Sequence, residues 1–240
     1  MSKSLLIWLE GPLQTWGDSS RFGRRETVDF PTASGLFGLL NAAQGISHPT
    51  EEEVEAFYSL EMSVDGYSKN DRYGESVSTI ITDYHTVGGG FDESNPVEAL
   101  RIPKKSDGKK VTGTGTRITR RDYLQSRAFA VVLTGDGKVL DQYSKALCEP
   151  VWDLYLGRKC CIPTEFLFQG LFDGHLQSDE KVNELVCAKG LSKLLSVRVA
   201  AGEGELRTLN DRIFVNSNVK RYSTRTVAIQ EFGDVNEDMG

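Results

Sequence analysis

The chain has 240 residues and 26.6 kDa, 39% hydrophobic and 26% charged, enough to bury a core without disulfide or metal staples. Its formal charge of −6, with a pI near 5.2, argues against a uniformly basic coat for nucleic acid. No apolar run approaches the ~20 residues of a membrane span, Met1 to Glu10 is not a charged-then-apolar secretory signal, and Cys148, Cys160, Cys161 and Cys187 form no CxxC pair. That cysteine usage fits a reducing, cytoplasmic setting and weighs against a zinc ribbon.

Leu5 to Glu10, stopped by Gly11-Pro12, reads as a buried strand. Gly11 to Arg25 reads as loop. A helix is expected from Leu36 to Gln44, with Leu36, Leu39, Leu40 and Ala43 on one apolar face and Gly45 as its stop. Thr50 to Tyr58 follows as a short acidic helix whose Thr50 and Glu53 form a capping box. Leu60 to Gly66 is a strand. Val77 to Thr119 carries Gly88-Gly89-Gly90, Asn95-Pro96, Asp107-Gly108 and Gly113-Thr114-Gly115, so it reads as a protruding insertion with β pairing at its base. Arg127 to Thr134 is the strongest strand signal, and Lys138 to Cys148 a helix. Trp152 to Pro163 is loop, Glu165 to Gly170 a short strand and Lys181 to Lys189 a short helix. Ser196–Ala200, Glu205–Val215 and Val219–Ile229 read as strands of a smaller C-terminal β unit. The expected class is α+β with helices on one face of the sheet. The larger domain would span 1–150, with its insertion at about 77–119, and the smaller unit 151–240.

The charge is unevenly placed. Arg101, Lys104, Lys105, Lys109, Lys110, Arg117, Arg120, Arg121 and Arg127 face only Asp107 and Asp122, so 9 − 2 gives +7 for that stretch, against −6 − 7 = −13 elsewhere. A second basic knot is Arg21, Arg24 and Arg25. Screening keeps such attraction local, within about 8–10 Å, so an acidic chain can still hold a polyanion. A solvated loop is the plainer reading of the same residues.

Three places offer chemistry. At Pro31-Thr32-Ala33-Ser34-Gly35 a helix begins; its free N–H groups suit an anion, or else Thr32 or Ser34 simply caps them. Tyr155-Leu156-Gly157-Arg158-Lys159 joins a stacking face, a glycine turn and two cations, which suits an unpaired base and its phosphate as well as a plain basic turn. His85, in Asp83-Tyr84-His85-Thr86, has Asp83 on the same face of a strand and is a candidate base for metal-independent RNA cleavage, or a polar contact only. No GxxxxGK[ST], HExxH or GxSxG motif occurs, no acidic cluster has metal-ligand spacing, and no cofactor or metal is expected.

Several segments, in order and spacing, resemble the CasD subunits of type I-E CRISPR Cascade complexes, of the RAMP superfamily. They are Glu10-Gly11-Pro12-Leu13-Gln14-Thr15-Trp16-Gly17, Phe30-Pro31-Thr32-Ala33-Ser34-Gly35-Leu36-Phe37-Gly38-Leu39-Leu40, Asp83-Tyr84-His85-Thr86-Val87, Arg120-Arg121-Asp122-Tyr123-Leu124 and Tyr155-Leu156-Gly157-Arg158-Lys159-Cys160-Cys161-Ile162-Pro163. The resemblance implies a ferredoxin-like, RRM-type N-terminal domain with a β-hairpin thumb, for which Val77 to Thr119 is the candidate, and a smaller C-terminal β unit. It implies a non-catalytic subunit that grips and caps the 5′ handle of the CRISPR RNA, touches a CasC-type backbone subunit and a CasA-type large subunit, and meets target DNA only through the complex. The related subtype I-C subunit is a processing ribonuclease using Tyr, Lys and His, a set not found here with matching spacing. The residues expected at RNA are Gln14, Trp16, Arg21, Arg24, Arg25, Thr32, Ser34, Gly35, Tyr84, His85, Thr86, Arg120, Arg121, Tyr155, Gly157, Arg158 and Lys159. Bases would stack on Trp16, Tyr84 or Tyr155, and phosphates would sit at the Ser34 helix start and on Arg24, Arg25, Arg158 and Lys159.

Overall fold

The computed structural model describes residues 2–18, 23–73, 76–87, 94–99, 104, 106–108, 117–199, 204–216 and 219–232. In chain order the elements are β1 (Ser2–Gln14), β2 (Arg24–Arg25), α1 (Ala33–Gln44), α2 (Glu51–Tyr58), β3 (Glu61–Ser68), β4 (Thr79–Val87), α3 (Pro96–Ala99), β5 (Arg117–Asp136), α4 (Gly137–Cys148), β6 (Phe168–Phe172), α5 (His175–Lys189), β7 (Ser192–Val199), β8 (Glu205–Asn216) and β9 (Val219–Glu231). The strands join in one sheet of order β6-β1-β5-β3-β7-β9-β8, with β2 and β4 also pairing β5. All these pairings are antiparallel except β2 with β5.

The nearly unbroken apolar run of β1 follows from its central place, because both faces are covered. Leu5, Ile7 and Leu9 point into the larger core, with Leu36, Phe37 and Leu40 of α1, Val54 and Phe57 of α2 and Leu140, Tyr143 and Leu147 of α4. Leu6 and Trp8 point to the other face and pack with Tyr67, Ala128, Ala130 and Val182 of α5. Helices on one face were expected, but α5 lies on the opposite face, because Leu6 and Trp8 need a cover. Each fully buried Leu or Phe is worth about 1.5–3 kcal/mol over its exposed state.

Several boundaries move. β1 runs on to Gln14, and Trp16 bridges Val28 where loop was expected. α1 starts at Ala33, with Thr32 as its N-cap, and α5 starts at His175. The short strand expected at 165–170 lies at Phe168–Phe172. The Thr50–Glu53 capping box forms as expected. The stem of the insertion is a hairpin, β4 against the first half of β5, from Thr79↔Gln125 to Val87↔Arg117. The glycine-rich segments 88–90 and 113–115 lie outside the described residues, as do Arg21, Arg101, Lys105, Lys109 and Lys110. Residues 151–240 supply both ends of the sheet, β6 beside β1 and β7 beside β3. Among the described residues, no helix is long and apolar enough to cross a membrane.

The β8–β9 hairpin is fastened to the helices by hydrogen bonds at Asp211, whose carboxylate is also ion-paired within the hairpin. Asp211, fully buried, accepts from Arg225 Nε (3.0 Å) and Nη2 (2.6 Å) and from the backbone N–H of Ala33 (2.8 Å). Tyr58 Oη donates to Asp211 O and accepts from Ile213 N, both at 2.8 Å, and burial pushes its phenol up to about 12. Removing one partner of such a pair strands the other charge. Asp211→Ala is therefore expected to cost about 3–5 kcal/mol of unfolding free energy, read as a fall in urea midpoint; a change below ~1 kcal/mol would show that Asp211 is not a fastener.

Candidate nucleic-acid interface

The candidate residues separate into an internal set and an exposed set. Gln14 is fully buried; its amide donates to Leu9 O (3.2 Å) and Arg127 O (2.7 Å) and accepts from the Trp16 indole (3.2 Å). Trp16 is 1% exposed and belongs to the large core. The expected base stacking on Trp16 is corrected: its ring is enclosed, and a Cβ at Gly35 would stand 2.8 Å from Trp16 Cε3. The phosphate site expected at the α1 N-terminus is corrected for a different reason. Thr32, fully buried, accepts from Gly35 N (3.3 Å), and the Ala33 N–H is already taken by the Asp211 carboxylate. Where phosphate was expected at Thr32, Ser34 and Gly35, an internal carboxylate takes the Ala33 N–H and Thr32 takes that of Gly35.

The exposed set lies around the first half of β5. β2 runs parallel to it, with Arg24 opposite Arg120 and Arg25 opposite Arg121. On the other edge of β5, β4 places Tyr84 opposite Arg120, Asp83 opposite Arg121 and His85 opposite Thr119. Partners across a sheet share a face and alternate along the strand, so Tyr84, Arg120 and Arg24 form one row and Arg121 and Arg25 the other. The Arg120 guanidinium lies 5.8 Å from the centre of the Tyr84 ring, itself 57% exposed. Arg24, Arg25, Arg120 and Lys159 are exposed, while Arg121, Arg158 and Tyr155 are half-buried.

The loop after α4 completes the cluster. It folds on itself through Leu156 N to Cys161 O and Cys161 N to Arg158 O, both 2.8 Å, and docks on the end of β1 through Thr15 N to Leu156 O. Gly157 adopts φ +100, and any Cβ there would collide with Thr15 O. Arg158 then lies over the Tyr123 ring at 4.7 Å and donates to Asp122 O (3.2 Å) and Arg25 O (3.0 Å). Burial pushes the Tyr123 phenol up. Tyr155 Oη reaches Asp153 at 3.4 Å, and its phenol is also raised.

Sequence reasoning did not single out Asp122 as a site residue. Its side chain is 6% exposed; Oδ2 accepts from Arg24 Nε (3.2 Å) and Nη2 (3.1 Å), and Oδ1 from Thr82 Oγ1 (2.7 Å). The available signal was its being one of only two acids in the basic stretch from Arg101 to Arg127.

His85 and Thr86 are exposed on the β4–β5 stem, and among the described residues His85 makes no hydrogen bond that would orient it as a base. Burial beside Cys160 pushes the Cys161 thiol up to about 11, so it is protonated near neutral pH and a poor nucleophile. Among the described residues, no group of three His, Cys, Asp or Glu could hold a metal ion.

The family described as CRISPR-associated protein (Cas_Cas5) matches residues 4–227. The CRISPR system Cascade subunit CasD of Escherichia coli (strain K12) is 34% identical over 177 residues, 71% of each chain. A chain of a solved CRISPR RNA-guided surveillance complex superposes with a TM-score of 0.69 at 27% identity, covering 95% of this chain and 89% of its own. A crystal structure of a Cas protein gives 0.57 at 25% identity, covering 96% and 95%.

Gly157→Ala tests the loop. The substitution combines a left-handed backbone with a collision against Thr15 O, so it is expected to displace Arg158 and cost more than about 1–2 kcal/mol. A melting temperature within error of wild type would contradict the tight docking.

Proposed function

Since the chain belongs to the CRISPR-associated protein (Cas_Cas5) family, we propose that it serves as the CasD-type subunit of a CRISPR RNA-guided surveillance complex, gripping the 5′ handle of the CRISPR RNA without cutting it. The observation that carries this reading is the arginine array. Arg24 and Arg25 lie directly beside Arg120 and Arg121, with Arg158 and Lys159 at the adjoining loop. Like charges opposite each other on adjacent strands are unfavourable, by about 0.2–1 kcal/mol per pair, unless an anion answers them. Asp122 is one internal answer, and a phosphate backbone is the natural external one. Tyr84 supplies an exposed ring for an unpaired base beside the array. The remaining acidic surface would discourage nonspecific coating by nucleic acid.

The order β6-β1-β5-β3, with helices between β1 and β3 and between β5 and β6, supports a ferredoxin-like arrangement of the larger part. The β4–β5 stem serves as the base of the thumb. Ile80, Tyr84 and Ile118 on it are 52%, 57% and 49% exposed, apolar surface that supports cover by a neighbour in the assembly. CasC-type backbone and CasA-type large subunits are the proposed partners, target DNA is met through the complex, and the cytoplasm is the proposed setting, in keeping with four free cysteines.

End-labelled CRISPR repeat RNA, incubated with the protein in EDTA and run on native and denaturing gels, tests the reading. A retarded, uncut, handle-dependent band is expected. A shortened product would overturn the non-catalytic assignment, and His85→Ala would then show whether His85 cuts. Each neutralised phosphate of single-stranded RNA contributes about −0.7 to the slope of log K against log salt. Arg25→Ala with Arg121→Ala should therefore flatten the slope by about 1.4; an unchanged slope would remove both from the site.

A further inference from the structure

We propose, resting on the RNA-binding reading above, that Asp122 is a positioning residue for specificity: its buried carboxylate aims Arg24 so that the outer edge of the guanidinium meets one particular phosphate of the bound RNA.

The geometry is asymmetric. The Asp122 side chain is 6% exposed and that of Arg24 54%, so a fixed anion holds an accessible cation. Asp122 Oδ2 takes both Nε and Nη2 of Arg24, the inner edge of the fork. Among the described residues no acceptor takes Nη1, which leaves the outer donors for a ligand. A second carboxylate among the described residues near Arg24, that of Glu26, is 3.7 Å away and 58% exposed, a pair of little strength. Asp122 is in turn fixed: Thr82 of β4 donates to Oδ1 at 2.7 Å, and Arg158 donates to its backbone oxygen. One residue thus ties together β2, β4, β5 and the loop, the segments that carry the exposed cations. Arginine recognises phosphate through a planar fork, so its orientation decides which phosphate position is accepted.

A purely structural role and a positioning role predict different things. Loss of structure would weaken all RNA binding alike. Loss of aim would weaken binding to the correct RNA while the extra positive charge left by Asp122→Asn would keep or raise binding to any RNA.

The complex is co-expressed with this subunit, wild-type or variant, and offered equal amounts of handle-bearing repeat RNA and a scrambled RNA of the same composition. The quantity read is the ratio retained. Asp122→Asn is expected to lower the handle-to-scrambled ratio about fivefold or more, with total bound RNA not reduced in proportion. Arg24→Gln should lower it similarly, and the double variant no further than Arg24→Gln alone. Thr82→Val, an exposed and readily tolerated change, should lower it about twofold by loosening Asp122. An unchanged ratio in Asp122→Asn, or additive losses in the double variant, would overturn the proposal. If Asp122→Asn does not fold, an unchanged ratio in Thr82→Val does so. A wild-type ratio near one would instead overturn the RNA-handle reading, and this inference with it.

Discussion

Everything in this molecule hangs on β5 changing partners midway. Its second half lies between β1 and β3 and carries Phe129, Val131 and Leu133 into the core. Its first half still gives Tyr123 and Leu124 to that core but runs out between β2 and β4, carrying Arg120 and Arg121. The change occurs at Ser126, a non-glycine residue at φ 57. A residue in that region departs from extended geometry and redirects the chain. Gln14 holds the bend from the inside, its amide donating to Arg127 O on β5 and Leu9 O on β1. Arg127 holds it from the outside, donating to Asp29 O at 2.8 Å and pairing with Asp29 Oδ1 at 3.2 Å. A core strand and a charged ribbon are therefore one continuous backbone, and the rigidity of the first is lent to the second.

What could be read from the sequence was whatever depends on near neighbours. The apolar period of α1, the capping box of α2 and the apolar run of β5 each announce themselves within a dozen residues. Even the basic character of the interface was legible, since Arg24, Arg25, Arg120, Arg121 and Arg158 carry it wherever the chain takes them. What was hidden depends on pairs distant in the chain. Nothing near Trp16 says that Gly35 will close over its ring, and nothing near Thr32 says that a carboxylate 178 residues away will reach Ala33. The same limit applied to α5: only the opposing faces of Leu6 and Trp8 demand a second layer, and that demand appears once β1 is known to be central.

Two aspartates illustrate how burial decides what an arginine is for. Arg225 has a side chain 10% exposed and faces a fully buried Asp211, so its charge is consumed within the fold. Arg24 faces Asp122 from a half-open position, so the same ion pair fixes the cation without enclosing it. The chemistry of the two pairs is alike, and the difference lies in how many guanidinium donors remain in contact with solvent. Counting arginines overestimates an interface, and counting exposed arginines tethered by buried acids describes it better.

The carboxylate at the start of α1 also bears on how the chain is made. At about 5–20 residues per second, synthesis reaches Asp211 roughly 9–36 s after Ala33. Until β8 is made, the Ala33 N–H at the start of the first helix lacks the carboxylate that accepts from it in the finished fold. The last hairpin acts in the fold as a tethered ligand for the helices made first, and a chain stopped before β8 would leave the Ala33 N–H and the Tyr58 hydroxyl without the partner they share, Asp211.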